Sequence, residues 1–206
     1  MRSFNRVLTV VSLVLVVAIL AFAQTKDKPK AGMPSKEDQQ KMMADMMKMM
    51  QPGPQHEVLA KMAGDWTMTG KIWMDPNSPG EEMKPGTQHS EMILGGRYLS
   101  SVNQGEMMGM PFEGHGMMGY DNFKKQYQMT WIDNMGTTIS TASGTADATG
   151  KVITLMGKMD DPSTGKKDLD VKYVYTLKDD KTVGFAMFEP KDGKDVKVMD
   201  MTYAKK

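Results

Sequence analysis

The sequence predicts a mostly-β fold: a single antiparallel up-and-down β-barrel of about eight to ten strands, preceded by one or two short helices. Three observations predict it. From Asp65 onward apolar residues recur with a period of two, the mark of half-buried antiparallel strands. Turn signals rich in Gly, Pro and Asp-Asn break that pattern every ~10 to 16 residues, too closely for crossover helices. Cysteine is absent, so the domain must rely on a core or on a sheet closed on itself, and closure also removes exposed strand edges. A two-sheet sandwich is the competing architecture.

The chain opens with Arg2 and Arg6, an apolar run from Val7 to Leu20, and Ala21-Phe22-Ala23 ahead of Gln24. This reads as a signal peptide over residues 1–23, cleaved after Ala23, and so as a secreted or periplasmic protein with no membrane span after cleavage. An uncleaved anchor is the alternative, since the apolar stretch borders on spanning length. Without the signal, 24 basic residues face 25 acidic ones, and the alternating Lys and Asp describe a solvated surface. Nucleic acid is thereby excluded as an expected partner, because phosphate binding needs clustered positive charge.

Residues 24–51 read as a flexible tether followed by a methionine-rich helix. Pro29, Gly32 and Pro34 loosen the first part. Ser35 stands at an N-cap position with Asp38 three residues on, and the helix runs through KEDQQKMMADMMKMM to the break at Gln51-Pro52-Gly53-Pro54. Met42, Met46, Met49 and Met50 share one face of it. A second short helix is expected from Gln55 to Met62, with His56 capping it and Gly64 ending it. Residues 52–206 form the barrel domain.

In that domain Trp66, Met68, Ile72 and Met74 alternate with polar residues, and Gly70 marks a bend or a close approach. The cleanest alternation sets Leu169, Val171, Tyr173, Tyr175 and Leu177 against Asp168, Asp170, Lys172 and Thr176. Tyr127, Met129 and Trp131 share a strand face. Thr137 to Thr145, TTISTASGT, places small polar residues on both faces, as a strand beside a cavity or water would.

A longer pattern runs through the domain. It comprises PGPxH at Pro52 to His56, GDW at Gly64 to Trp66, WMDP at Trp73 to Pro76 and LGGRY at Leu94 to Tyr98. It continues with PFEG at Pro111 to Gly114, GYDN at Gly119 to Asn122, YxxxWID at Tyr127 to Asp133 and DxxGK at Asp147 to Lys151. Together these resemble the bacterial domain of unknown function family 1579. The resemblance implies a barrel similar in fold to the lipocalin and fatty-acid-binding proteins, with the short helix closing its base and Trp66 packed inside. It implies no activity, because such barrels host many ligands.

Three functional readings follow. The first is a binding module for a small apolar or amphipathic molecule, lined by Trp66, Tyr120, Tyr127, Trp131 and Tyr173. Arg97, the one arginine after residue 23, is its polar anchor for a ligand carboxylate, or else stacks on Trp66 or pairs with Asp121 or Asp133. The second is a soft-metal protein, binding copper as Cu(I) through Met42, Met46, Met49, Met50, His115, Met117 and Met118. The third is an envelope protein with a filled barrel and no ligand. Methionine at 25 of 206 residues fits either a deformable pocket or a soft-metal site. Catalysis has little support: nucleophile elbows, zinc-binding helices and phosphate loops are missing, no catalytic residue or cofactor is expected, and Asp121 and Asp133 sit in turn sequences.

Overall fold

The computed structural model describes residues 34–206 apart from positions 76, 162, 163 and 192. The expected signal over residues 1–23, most of the tether, and parts of the turns at Pro76, Pro162-Ser163 and Asp192 therefore lie outside the described residues. No helix among them is long and apolar enough to cross a membrane.

Helix α1 spans Lys36–Met49. Its start is fixed reciprocally: Ser35 Oγ accepts the Asp38 N–H at 3.1 Å, while the Asp38 carboxylate accepts the Ser35 N–H at 3.1 Å and its hydroxyl at 2.7 Å. Glu37 and Asp38 in the first turn and Lys48 in the last suit the helix dipole. No residue of α1 is buried, so its methionine face is exposed.

Residues 45–206 form one compact unit. Helix α2 spans Pro54–Ala60, shorter than the expected 55–62. Proline at its first position fits a missing donor, and His56 Nδ1 accepts the Gly53 N–H at 3.0 Å, the cap expected of this histidine. Beyond Ala60 the chain tightens, with Met62 N–H bonding to Leu59 O at 2.9 Å and Ala63 N–H to Ala60 O at 3.2 Å. That turn carries Met62 into the core and delivers the chain to Gly64.

Ten strands follow: β1 Gly64–Ile72, β2 Glu81–Ile93, β3 Tyr98–Met107, β4 Met110–Asp121, β5 Gln126–Asp133, β6 Ser140–Ala146, β7 Val152–Asp161, β8 Lys166–Asp179, β9 Thr182–Lys191 and β10 Lys194–Lys205. Each pairs antiparallel with the next, and β1 pairs with β10 from Trp66 opposite Lys205 to Ile72 opposite Met199. The sheet is thus a closed barrel, and the sandwich alternative falls. Gly70 makes the close approach expected of it: a Cβ there would meet Asp200 O at 2.3 Å, and the β1–β2 register shifts between Met68 and Gly70.

One strand begins later than the sequence suggests. β6 starts at Ser140, and Thr137 to Ile139 lie outside it. Asp133 Oδ1 accepts the Met135 N–H at 3.0 Å and Asn134 Oδ1 accepts the Glu113 N–H at 3.0 Å. These bonds lead the chain past the barrel rim before it rejoins the sheet.

The up-and-down order sends the turns alternately to two ends. Helix α2 packs at the end where the odd-numbered strands begin. Leu59 is fully buried there, the Trp66 indole N–H donates to Met62 O at 3.1 Å, and the Tyr127 hydroxyl donates to Gln55 O at 3.4 Å. Burying one Trp, one Tyr and one Leu against the helix gives this end a firm apolar seal.

Candidate functional site: a methionine-lined cavity in the barrel

Beyond that seal, the barrel encloses a cavity of about 350 Å3. Methionines make up much of its wall, among them Met68, Met118, Met129, Met187 and Met201. Aromatic rings complete the wall. Tyr173 and Phe185 stack at 6.3 Å, and Tyr175 tilts against Phe185 at 5.0 Å. Alternation along the strands delivers these side chains, since every second residue of β8, β9 and β10 points inward.

On the facing wall the indole of Trp131 lies flat over β4. A Cβ on Gly114 would meet its Cζ2 at 2.2 Å, and one on Gly116 its Cε3 at 3.3 Å. The Trp131 N–H donates to Asp133 Oδ2 at 2.7 Å, and Phe112 stacks on the ring at 6.4 Å and 18°. Two glycines in a strand would normally weaken it; here they make room for the indole.

A short polar row interrupts the apolar lining. Gln88 on β2 stands opposite Asn103 on β3, and Asn103 opposite Gly114 on β4. Gln88 Nε2 donates to Ser90 Oγ at 2.6 Å, and Ser101 Oγ donates to Gly116 O at 3.4 Å. Asn103 is only 5% exposed, and its Oδ1 accepts no hydrogen bond.

Burial raises the pKa of the enclosed tyrosines. Tyr127 is pushed up to about 12, chiefly by desolvation with a smaller effect of Tyr120, and Tyr173, Tyr175 and Tyr203 are raised as well, by desolvation first. Their hydroxyls are therefore protonated at neutral pH. Two of them find only soft acceptors, Tyr175 on Met129 Sδ at 3.2 Å and Tyr203 on Met201 Sδ at 3.9 Å.

The residues singled out in the sequence fall into different places. Trp131 and Tyr173 line the cavity. Trp66 and Tyr127 are buried in the seal beside α2, and Tyr120 contacts Tyr127 at 4.9 Å and His56 at 6.0 Å. Arg97 is outside the cavity, in the turn between β2 and β3, where its guanidinium donates to Leu94 O at 3.0 Å and Met50 O at 2.9 Å. Asn122 donates to Met49 O and Gln51 O at 2.9 and 2.8 Å, so Arg97 and Asn122 together hold the chain just after α1. The cation over Trp66 is Lys205, at 5.3 Å from the ring, not Arg97. A second depression, of about 440 Å3, is framed by Met49, Met50, Arg97, Tyr120 and Asn122.

The candidate metal ligands are divided. Met42, Met46, Met49 and Met50 are exposed on and just after α1. On β4, His115 and Met117 point outward while Met118 is buried, because adjacent strand residues face opposite sides. His115 Nε2 lies 2.9 Å from Glu113 Oε1, and that contact lowers the pKa of Glu113. The two candidate carboxylates are also separated. Asp121 and Asp133 stand at opposite ends of the β4–β5 pair, about 24 Å apart by strand rise. Asp121 accepts the Phe123 and Lys124 N–H groups of its turn, and Asp133 is taken by Trp131 and Met135.

Sequence reading missed Gln88, Ser101 and Asn103. The signal was present as Leu99, Ser101 and Asn103 alternating on β3, but Tyr98, Ser100 and Val102 offer an equally apolar opposite face.

The described residues define a closed antiparallel ten-stranded barrel with a largely apolar interior cavity. The chain belongs to the family described as Protein of unknown function (DUF1579), whose model matches residues 51–205. The crystal structure of Rv2717c from M. tuberculosis is similar in fold, with a TM-score of 0.55 and 16% identity over 76% of this chain and 99% of that one. No curated protein matches the chain.

Proposed function

We propose that this chain is an exported binding module that holds one small apolar or amphipathic molecule inside its barrel. The observation that carries this reading is the cavity of about 350 Å3 and its methionine lining. Its volume lies at the lower end of the ~300 to 1,000 Å3 range of small-molecule sites. Methionine suits such a site because its unbranched, polarizable side chain adapts to the shape of an apolar guest. Export is inferred from the residue pattern at positions 1–23.

Native mass spectrometry of the full chain, purified from its own host, tests the proposal. A small molecule released on collisional activation, whose addition back to the stripped protein raises the melting temperature in a concentration-dependent way, is the expected result. A protein that carries nothing, and whose melting temperature does not respond to a broad panel of apolar molecules, would refute it.

A further inference from the structure

Asn103 on β3 points inward with Leu99 and Ser101, lines the cavity and is only 5% exposed. Its two amide atoms differ in what can reach them. The oxygen is fully enclosed and accepts no hydrogen bond. The nitrogen has no acceptor among the described residues either, yet it is not enclosed, so Nδ2 is the atom that this side chain presents to the cavity. A leucine of nearly the same shape would fill the place without orphaning a carbonyl, so an asparagine here costs stability unless its N–H groups meet a partner.

The wall itself supplies no such partner. The cross-strand neighbours of Asn103 are Gly114, which has no side chain, and Gln88, whose amide is turned to Ser90 Oγ. The carboxylates of the lining are taken: Asp133 accepts the Trp131 and Met135 N–H groups, and Glu106 pairs with Lys84. Across the barrel, on β8 and β10, further donors are unspent. The Tyr173 hydroxyl makes no hydrogen bond among the described residues, and Tyr175 and Tyr203 donate only to the thioethers of Met129 and Met201, which are weak acceptors. Charge limits the guest further. Among the described lining residues Lys84 is the only cation, and Glu106 already holds it, so an anion would enter apolar surroundings with no free countercharge.

We infer that the guest of the barrel is a neutral apolar molecule whose polar group is a hydrogen-bond acceptor, a carbonyl oxygen as in a ketone or an ester, received by Asn103 Nδ2. This rests on the binding-module reading above. The apolar body lies against the methionine and aromatic wall, and the carbonyl turns to β3. The cavity has the volume of about a dozen water molecules at liquid density, so an alkyl body of about nine carbon atoms is of the right order.

The test uses the full chain and three probes: methyl heptyl ketone, its hydrocarbon isostere with =CH2 in place of the carbonyl oxygen, and nonanoate. Headspace gas chromatography gives the free concentration of the two volatile probes, and nonanoate is measured as a competitor of the ketone at about pH 8, where its carboxylate is ionised. On the unaltered chain the bound ketone, labelled with carbon-13 at its carbonyl, should show its infrared stretch at lower frequency than in hexane, the mark of an accepted hydrogen bond. Asn103→Leu should return the stretch toward its hexane position and lower the ratio of ketone to hydrocarbon affinity at least about tenfold, with the hydrocarbon itself bound within about twofold. Comparing that ratio between two chains cancels the different hydration of the two probes. The variant should melt no lower than the unaltered chain, because the orphaned carbonyl is lost together with the donor. Tyr173→Phe should leave the ratio within about twofold.

A bound ketone whose stretch matches that in hexane, or a nonanoate that displaces the ketone at equal or lower concentration, overturns the inference and leaves the binding module standing. The stretch is read on the unaltered chain, so it decides even if Asn103→Leu does not fold. An unchanged ratio in Asn103→Leu, or a fall of about tenfold in Tyr173→Phe instead, overturns the assignment to Asn103. If neither the ketone nor the hydrocarbon binds, the inference falls together with the reading it rests on.

Discussion

Replacing Trp66 probes the seal on which an enclosed interior depends. The residue is 1% exposed, starts the inward face of β1, donates its N–H to Met62 O at 3.1 Å and carries Lys205 over its ring at 5.3 Å. A buried tryptophan removes roughly 150–250 Å2 from water, which at about 25 cal/mol per Å2 amounts to an upper bound of about 4 to 6 kcal/mol. Trp66→Ala should therefore cost about 3 to 5 kcal/mol, the lost transfer energy and the new cavity together. Trp66→Phe keeps most of the apolar area and loses the N–H to Met62 O, so its cost should be much smaller, about 1 to 2 kcal/mol. The lysine above the ring is solvent-exposed, and its own share is below about 1 kcal/mol. Urea unfolding followed by far-ultraviolet circular dichroism measures each value as a shift in midpoint at constant slope. A loss of less than about 1 kcal/mol in Trp66→Ala, or an equal loss in both variants, would show that this end is not packed as described.

Gly114→Ala should evict the Trp131 indole, because the added Cβ would lie 2.2 Å from its Cζ2. The expected outcome is a red-shifted tryptophan emission and a stability loss of about 1 to 3 kcal/mol; an unchanged spectrum and midpoint would contradict the placement of the ring. Stability should also depend on pH through His56, whose pKa lies below the ordinary imidazole value, mainly because it is buried and further because Arg97 is near. The folded state then binds fewer protons than the unfolded one between that lowered pKa and ~6.5, so the His56 contribution is complete above ~6.5 and is lost as pH falls. In His56→Gln the cap can persist without titrating, and the slope of melting temperature against pH should flatten in that window; parallel curves would exclude His56 as the cause. Asp121, Asp147 and Asp179, each lowered chiefly by a backbone N–H of its own turn, add a second decline in more acidic solution, below the usual carboxylate value of ~3.9.

The parts of this fold legible in the sequence are those set by local chemistry. Ser35 and Asp38 mark the start of α1, Gly70 marks a close approach, and the alternation from Leu169 to Leu177 matches the inward face of β8. Tertiary register was not legible. Trp66 meets Lys205 because β1 closes on β10, a pairing of the two ends of the barrel that no local pattern announces. Guanidinium chemistry offers Arg97 either an interior ligand carboxylate or a structural place on Trp66, Asp121 or Asp133; a turn position instead gives it the carbonyls of Leu94 and Met50. On β3 both faces read as equally amphipathic, and only pairing with β2 and β4 shows that Asn103 points inward.

Strand number and inner-face side chains together explain why the barrel is hollow. Barrel diameter grows with strand count, and at about eight strands side chains can still fill the interior or leave room for one small ligand. This barrel has ten. A wider interior closes only if large residues occupy every inward position, but Ser101 and Asn103 on β3 and Ala142 and Gly144 on β6 are small or polar, and the space over Gly114 and Gly116 on β4 is taken by the one indole of Trp131. Beside Trp131 and Phe112, the large residues stand on the other wall, at Tyr173, Tyr175, Phe185 and Tyr203, and at the α2 seal. The space that remains lies between the Trp131 indole and its neighbours on one wall and the methionine and aromatic side chains of β8 to β10 on the other.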